Sequence, residues 1–295
     1  MQENYNLAWS DQHKDKVSNS KKSEQSDAAL IKKVIRRAAS IRGQLIVVKL
    51  PYYTLQHDDL IINFAENVQM LSSLGARVII VHGYEEIIDI KLKEFGVSQR
   101  EQVSRFSHEK ISEMAEMIIS GRINRDIITK LCLNGVNTIG FSGKDANLII
   151  AEKPRVALRN NNTNFRFNYV GTPIRVNPDL LLSHEDSEIT AVISPVACSL
   201  KGRTVILDPY STAAMIVESV QADHFIMLGS DYQLQQRFVR AFDSQSLKKS
   251  LNIMGKVFDK HCVAKAAYYA MDNTECSVCF ANAKQKDALL FTIFD

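Results

Sequence analysis

No stretch of this 295-residue sequence approaches the roughly 18 consecutive apolar residues that a membrane-spanning helix needs. The first thirty residues are also too polar to form the apolar core of a secretory signal. Neither sign of charge is in large excess, since 36 basic and 33 acidic residues leave a net charge of +3. That balance gives no electrostatic case for a nucleic-acid or membrane partner. We therefore expect a cytoplasmic protein that binds small molecules or other protein surfaces.

Cysteines are few and odd in number, because the chain has five of them in mainly apolar or helical contexts. This usage does not support a disulfide framework, and we expect reduced thiols. Cys276 and Cys279 form a C-x-x-C pair, but no second pair of Cys or His residues lies at the spacing of a zinc site. The sequence therefore predicts no metal centre formed by protein side chains.

The N-terminal part divides into a polar tail and a helix. Residues 1–26 are rich in Ser, Gln, Asn, Lys and Asp, and such a composition cannot offset the entropy of ordering. From Asp27, a possible helix cap, apolar residues recur at helical spacing as far as Gly43. We expect a disordered tail over residues 1–26, an amphipathic helix over residues 27–42 and an α/β domain over residues 43–295.

Within that domain, short apolar runs alternate with patterns of helical periodicity. Such an alternation indicates a mainly parallel sheet with helices on both faces. The predicted strands are Leu45–Leu50, Arg77–Val81, Thr138–Phe141, Leu148–Ala151, Ile189–Val196, Thr204–Leu207, His224–Leu228, Cys276–Ala281 and Leu289–Phe294. The predicted helices are Leu60–Leu74, Glu109–Ile119, Asp126–Leu133, Ser211–Val220 and Lys256–Ala270.

Ligands of parallel sheets bind beyond the carboxyl ends of the strands, where loops and helix N-termini offer backbone N–H groups. Lys49 lies at such an end, on the first predicted strand. It could place a compact positive charge beside a phosphoryl group, which is a common role of lysine in phosphoryl transfer. The alternative is an ordinary solvated lysine at a strand end.

Two segments carry a resemblance to a known family. The sequence Gly140–Ile149, GFSGKDANLI, follows Gly121–Asp126, GRINRD, at a distance of about fifteen residues. Together they resemble the N-acetylglutamate kinases of the amino acid kinase family. The resemblance runs in order over roughly residues 27–294 and is strongest at residues 113–153 and 168–182.

The resemblance implies a fold and a reaction. The fold is a three-layer sandwich of the amino acid kinase type, with a mainly parallel central sheet. Its lobe for the acyl substrate would span about residues 43–195, and its nucleotide lobe about residues 196–295. The family reaction is the phosphorylation of the side-chain carboxylate of N-acetyl-L-glutamate by ATP with Mg²⁺, in arginine biosynthesis.

The resemblance also assigns roles in catalysis to particular residues. Lys49 and Lys260 would stabilise the charge that develops on the transferring phosphoryl group, although a solvated Lys260 is an open alternative. Tyr210 stands where the family has the aspartate that organises the two lysines. Asp208 lies two residues away, and in an extended segment its side chain could face the same side as Tyr210 and partly replace that aspartate.

Binding roles follow in the same way. Arg105 aligns with an arginine that grips the substrate carboxylate, for which a planar guanidinium fork is well suited, and a surface arginine is the alternative. Gly83 remains from a glycine turn that contacts the substrate. Ser230 and Asp231 lie near the edge of the expected nucleotide site.

The chain departs from the family pattern in both phosphate-binding turns. The family has K-x-G-G after its first strand and H-G-G-G after its second, whereas this chain has Pro51 and Tyr52 in the first turn and Tyr84 and Glu85 in the second. Glycine turns hold phosphate because they allow positive φ and present successive N–H groups, and proline has no N–H. Ile206 likewise stands where the family has a substrate-binding asparagine.

Two hypotheses therefore remain open. The first is an acetylglutamate kinase-like enzyme with a carboxylate substrate and a nucleotide. The second is a pseudokinase that binds a metabolite or a partner protein and performs no transfer.

The predicted helix at residues 27–42 resembles the N-terminal helix of ring-shaped members of the family. We accordingly expect a homo-oligomer, either a dimer or a hexamer formed through this helix. The sequence ends at Asp295, where relatives continue into a glycine-rich segment of their arginine site, and we therefore expect no feedback by arginine.

Overall fold

The computed structural model describes Lys32 and residues 35–84, 87–97, 108–153, 170–183, 188–229 and 258–294. The chain divides into two units at Arg42 and Gly43. In the first unit, residues 35–40 form helix α1, in which Ser40 Oγ donates to the carbonyl of Arg37 at 2.8 Å. The predicted polar tail lies outside the described residues. Among those that are described, no helix is both long enough and apolar enough to cross a membrane.

The second unit alternates strands and helices. Its described strands are β1 (Leu45–Leu50), β2 (Arg77–His82), β3 (Thr138–Ser142), β4 (Ile149–Glu152), β5 (Val170–Val176), β6 (Thr190–Ser194), β7 (Val196–Cys198), β8 (Thr204–Leu207), β9 (His224–Gly229) and β10 (Ser277–Asn282). Its described α-helices are α2 (Asp58–Ser73), α3 (Ile88–Glu94), α4 (His108–Glu116), α5 (Asn124–Leu133), α6 (Asp179–Leu182), α7 (Pro209–Val220), α8 (Phe258–Asn273) and α9 (Ala288–Phe294).

Six strands form one sheet in the order β10-β9-β1-β2-β6-β3, and every neighbouring pair is parallel. The central strand β1, LIVVKL, is buried along its whole length. A strand that is covered on both faces carries a continuous apolar run, as β1 does apart from Lys49. The predicted α/β fold with a mainly parallel sheet is confirmed.

The other four strands form a small closed barrel in the order β4-β5-β8-β7. The sequence run Ile189–Val196 was expected to be a single strand, but it divides at Pro195 into β6 of the sheet and β7 of the barrel. Proline has no N–H and cannot donate a sheet hydrogen bond at this position. The Pro195 carbonyl accepts one from the Leu207 N–H at 2.9 Å. The chain therefore passes from the sheet into the barrel at Pro195.

Side-chain alternation along β1 determines which residues face helix α7. Leu45 and Val47 belong to a buried cluster with Ala213 and Val217 of α7. Because successive side chains of a strand point to opposite faces, Lys49 lies on this same face. Helix α7 in turn packs against α8.

The contact between α7 and α8 includes one polar bond, from the Tyr269 hydroxyl to the Glu218 carboxylate. Burial, followed by this hydrogen bond, raises the pKa of Tyr269 to about 12. The tyrosine therefore remains a protonated donor at neutral pH.

The helix predicted over Glu109–Ile119 and the one predicted over Asp126–Leu133 are parts of one continuous helical stretch. Helix α4 runs directly into a π-helix at Met117–Ile123, which leads into α5. Such wide turns are rare and often occur at functional sites. Ser120 on the π-helix forms a hydrogen bond of 2.7 Å between its Oγ and that of Ser194, at the carboxyl end of β6.

The prediction of a strand at Leu289–Phe294 is wrong, because these residues belong to helix α9. A seven-residue apolar run suits either structure, and a tertiary contact decides between them. The Asp287 carboxylate, just before α9, accepts from Asn63 Nδ2 at 2.9 Å and Asn67 Nδ2 at 3.0 Å on α2. These bonds hold the pKa of Asp287 below its usual value and fix the start of the helix.

Gly143 provides a test of the close approach between the sheet and the barrel. A Cβ at this position would lie 2.6 Å from the Val196 carbonyl oxygen and 2.8 Å from Ile149 Cβ. We expect Gly143→Ala to reduce the free energy of unfolding by about 1–3 kcal/mol, the usual cost of overpacking. The measurement is urea denaturation followed by circular dichroism.

Gly121→Ala is the matched control, because nothing lies within 4 Å of the added Cβ. Its free energy of unfolding should stay within about 1 kcal/mol of the parent value, since alanine favours a helix over glycine. Equal losses in the two variants would contradict the packing account of Gly143.

Candidate functional site

Lys49 is the buried centre of the candidate site. Only 1% of its surface is exposed, and its Nζ lies 4.1 Å from the centroid of the Tyr210 ring. The alternative of a solvated lysine is therefore wrong. Burial of an ammonium group is costly, and a cation–π contact in a desolvated place offsets about 2 kcal/mol of that cost.

Asp208 and Tyr210 mark the start of helix α7. Asp208 is the N-cap, and its Oδ2 accepts from Ser211 N at 2.7 Å and from Ser211 Oγ at 2.8 Å. The helix begins at Pro209, so the segment from Asp208 to Tyr210 is not extended as the sequence suggested. The Asp208 carboxylate therefore orients the first turn of α7, and this turn places the Tyr210 ring against Lys49.

The turn after β2 closes on the protein itself. The Gly83 N–H donates to the Leu50 carbonyl at 2.7 Å. Tyr84, where the family pattern has glycine, is 1% exposed, and its hydroxyl donates to the Leu207 carbonyl at 2.9 Å. The N–H of Gly83 thus forms a backbone hydrogen bond, and the phenol of Tyr84 fills interior space beside β8.

The turn after β1 is a 3₁₀-helix at Tyr52–Gln56 that follows the buried Pro51. The Tyr53 ring lies 4.4 Å from that of His57 between centroids, and Lys284 Nζ lies 4.9 Å from the Tyr53 centroid. A structured aromatic turn therefore replaces the glycine turn of the family pattern.

One polar cluster was missed by the sequence analysis. Lys144 Nζ lies 2.6 Å from Glu116 Oε2 and 2.7 Å from Thr204 Oγ1, and the Thr204 hydroxyl donates to the same carboxylate oxygen at 2.9 Å. The cluster joins the end of α4, the turn between β3 and β4, and the start of β8. Lys144 lies in the motif that best matches the family, and this position could have marked it as a candidate site residue. Nothing local in the sequence indicates Thr204 as its partner.

Several predicted site residues cannot be placed in this geometry. Arg105, Ser230 and Asp231 lie outside the described residues. Lys260 falls in helix α8, but its side chain is likewise outside the described part. Their roles stay predictions.

The five cysteines are free thiols, and burial raises the pKa of Cys276. Across the described parts of the chain, no group of three or more His, Cys, Asp or Glu side chains is arranged to hold a metal ion.

Comparison with known proteins places this geometry in context. Residues 44–232 match the model of the amino acid kinase family. An acetylglutamate kinase from Ruegeria pomeroyi is 31% identical over 186 residues, which cover 62% of this chain and 61% of that enzyme. An acetylglutamate kinase from Parvibaculum lavamentivorans is 28% identical over 227 residues, covering 73% of this chain and 74% of the enzyme.

Solved structures show the same fold. An N-acetylglutamate synthase from Neisseria gonorrhoeae, complexed with coenzyme A and N-acetyl-glutamate, superimposes with a TM-score of 0.70 at 18% identity. The match covers 90% of this chain and 61% of the synthase chain. A Giardia carbamate kinase superimposes with a TM-score of 0.56 at 10% identity, over 85% of this chain and 96% of that one. This chain thus spans 61% of the length of both the Ruegeria enzyme and the synthase.

The contact between Lys49 and Tyr210 predicts the chemical reactivity of the lysine. In the native protein we expect Lys49 to be acylated slowly by acetic anhydride, because its ammonium group is buried beneath the ring. Tyr210→Ala should raise the acylation rate of Lys49 about tenfold or more, in keeping with the loss of a desolvated cation–π contact. Peptide mass spectrometry after a short pulse measures the rate at each lysine.

Tyr210→Phe is the matched variant and should leave the rate unchanged, since the ring remains. The exposed Lys93 is the internal reference. Native Lys49 that reacts as fast as Lys93 would contradict the buried arrangement.

Proposed function

This chain belongs to the amino acid kinase family, and we propose that it is an acetylglutamate kinase-like protein that binds a small carboxylate without phosphorylating it. The observation that carries the proposal is the Tyr210 ring over Lys49. In the family pattern an aspartate at this position organises the catalytic lysines. A tyrosine ring stabilises a buried cation but has no carboxylate to accept hydrogen bonds from two lysines.

The chemistry of phosphoryl transfer supports the proposal that this protein does not phosphorylate its ligand. Such transfer depends almost wholly on positioning and on preorganised charge around the moving group. Loss of one preorganised donor commonly lowers turnover about 10²–10³-fold. Here two glycine turns and the organising aspartate all differ from the family pattern, so the expected loss is large.

ATP with Mg²⁺ is the phosphoryl donor that the family implies, and the described residues fit its phosphates poorly. After β1, Pro51 offers no N–H, and the turn continues as the aromatic 3₁₀-helix. After β2, the N–H of Gly83 already donates to Leu50, and the buried Tyr84 side chain stands where the pattern has glycine. We therefore expect these two turns not to hold the phosphates of a nucleotide. Nucleotide binding near Ser230 and Asp231 is proposed only from the resemblance to the family.

The proposed ligand is a carboxylate of the acetylglutamate class, and Arg105 is the residue proposed to hold it. A guanidinium fork binds a carboxylate through two parallel hydrogen bonds. A cytoplasmic location and a place beside arginine biosynthesis belong to the same proposal, and both rest on the likeness to acetylglutamate kinases.

An active kinase is the second candidate, and two observations favour it. Lys49 remains at the end of β1, and the carboxylate of Asp208 is held firmly only two residues from Tyr210. In this candidate Lys49 and Lys260 would stabilise the transferring group, and Asp208 would organise them.

Turnover and binding assays separate the two candidates. With Mg-ATP and N-acetyl-L-glutamate, we expect the purified protein to form ADP no faster than its Lys49→Ala variant. Calorimetry should detect N-acetyl-L-glutamate binding that Arg105→Ala weakens at least about tenfold, the change expected for the loss of a charged hydrogen-bond partner.

Arg122→Ala is the matched control, because Arg122 pairs with Asp126 on an exposed helix surface. It should bind like the parent. Turnover that depends on acetylglutamate and disappears in Lys49→Ala would reject the non-transferring proposal in favour of the active kinase.

We also propose that the chain forms a homo-oligomer in which the N-terminal unit joins dimers into a larger ring. Support comes from the resemblance of residues 27–42 to the N-terminal helix of ring-shaped members of the family and from Ile35 on α1, which is 61% exposed.

Deletion of residues 1–42 should lower the mass measured by light scattering to that of a dimer, because the joining helix is removed. Ile35→Asp in the full chain should act in the same direction, since a charge would be buried in the contact. An unchanged mass in both variants would contradict a role for the N-terminal unit in assembly.

A further inference from the structure

Two side chains, those of Tyr84 and Lys49, converge on one short segment, Leu207–Tyr210, where the small barrel meets helix α7. This segment includes the last residue of β8 and the first turn of α7. Tyr84 reaches it from the turn after β2, and Lys49 reaches it from β1. Strands β1 and β2 are neighbours in the sheet, so both contacts arise at one place on its carboxyl edge.

The contact of Tyr84 is a buried hydrogen bond. Its hydroxyl donates to the carbonyl of Leu207, 123 residues later in the chain. A buried carbonyl needs a partner, and removing the donor leaves this acceptor unsatisfied. The bond therefore ties the end of β8 to the turn after β2.

The contact of Tyr210 with Lys49 holds the other end of the same segment. Its ring covers Lys49, and Asp208 fixes the helix turn from which the ring projects. The ring could move away only by exposing the ammonium group or by leaving it buried without this contact. The start of α7 is therefore tied to β1.

Proteins that close around a ligand commonly rely on that ligand to bridge their two parts. Here the bridging contacts are made by side chains of the protein itself. We propose that Tyr84 and Tyr210 form an intramolecular clasp that holds the 207–210 segment against β1 and β2 in the absence of any ligand. The inference rests on the proposed function in taking this segment as part of the ligand site.

Hydrogen exchange of the full-length protein, followed by mass spectrometry, tests the clasp. In the ligand-free protein the amides of residues 204–211 should be protected. Adding N-acetyl-L-glutamate and Mg-ATP should change their exchange rates less than about twofold, because the segment is already held. Tyr84→Phe should raise these rates about five- to tenfold, the change expected when one buried hydrogen bond is lost.

Tyr269→Phe is the matched control. It removes a tyrosine hydroxyl that bonds Glu218 farther along α7, and it should leave exchange at residues 204–211 unchanged. The Tyr210→Leu variant should resemble Tyr84→Phe, since it removes the second contact of the clasp.

Two results would overturn the clasp. One is unchanged exchange at residues 204–211 in Tyr84→Phe. The other is strong protection of this segment that appears only when the ligands are added to the parent protein. Neither result depends on turnover. If the protein showed kinase activity and its segment were still protected without ligand, the proposed function would be rejected and the clasp would stand.

Discussion

The burial of the Lys49 ammonium group beneath the Tyr210 ring is the constraint on which the candidate site depends. A charge in the interior has to be compensated, and the ring can do so only if helix α7 begins at the right place. The Asp208 cap fixes that beginning, and the bond from Tyr84 to Leu207 fixes the strand that leads into it. Residues that replace the family pattern at several separate points of the sequence therefore form one connected structure.

The best-matched segments of the chain are those where packing leaves little choice. An added Cβ at Gly140 would lie 2.2 Å from Ile128 Cδ1 and 2.3 Å from Asn124 Oδ1, and one at Gly171 would lie 2.2 Å from the Glu152 carbonyl oxygen. At these two positions the packing leaves no room for a side chain unless its neighbours shift. Similarity at these places is therefore evidence for the fold, and function has to be argued from the loops around Lys49.

Much of the fold could be predicted because buried parallel strands carry continuous apolar runs. Strand β1 was predicted at its observed residues, and β2 differs by one residue at its end. The prediction failed where local pattern was ambiguous, as at Leu289–Phe294, where the bonds from Asn63 and Asn67 to Asp287 favour a helix. It also failed at Pro195, because a run of apolar residues does not reveal that the chain leaves one sheet for another.

For the site, it could be predicted from the sequence that a lysine lies near the carboxyl end of the first strand and that proline and tyrosines replace the glycines of the family pattern. The chemical consequence could also be predicted, because a proline lacks an N–H and a phenol adds bulk wherever they lie. The burial of Lys49, its cover by Tyr210 and the bond from Tyr84 to Leu207 became visible only in the folded chain. These contacts join residues more than a hundred positions apart, and they depend on which strands the topology brings together, a property that local periodicity does not encode.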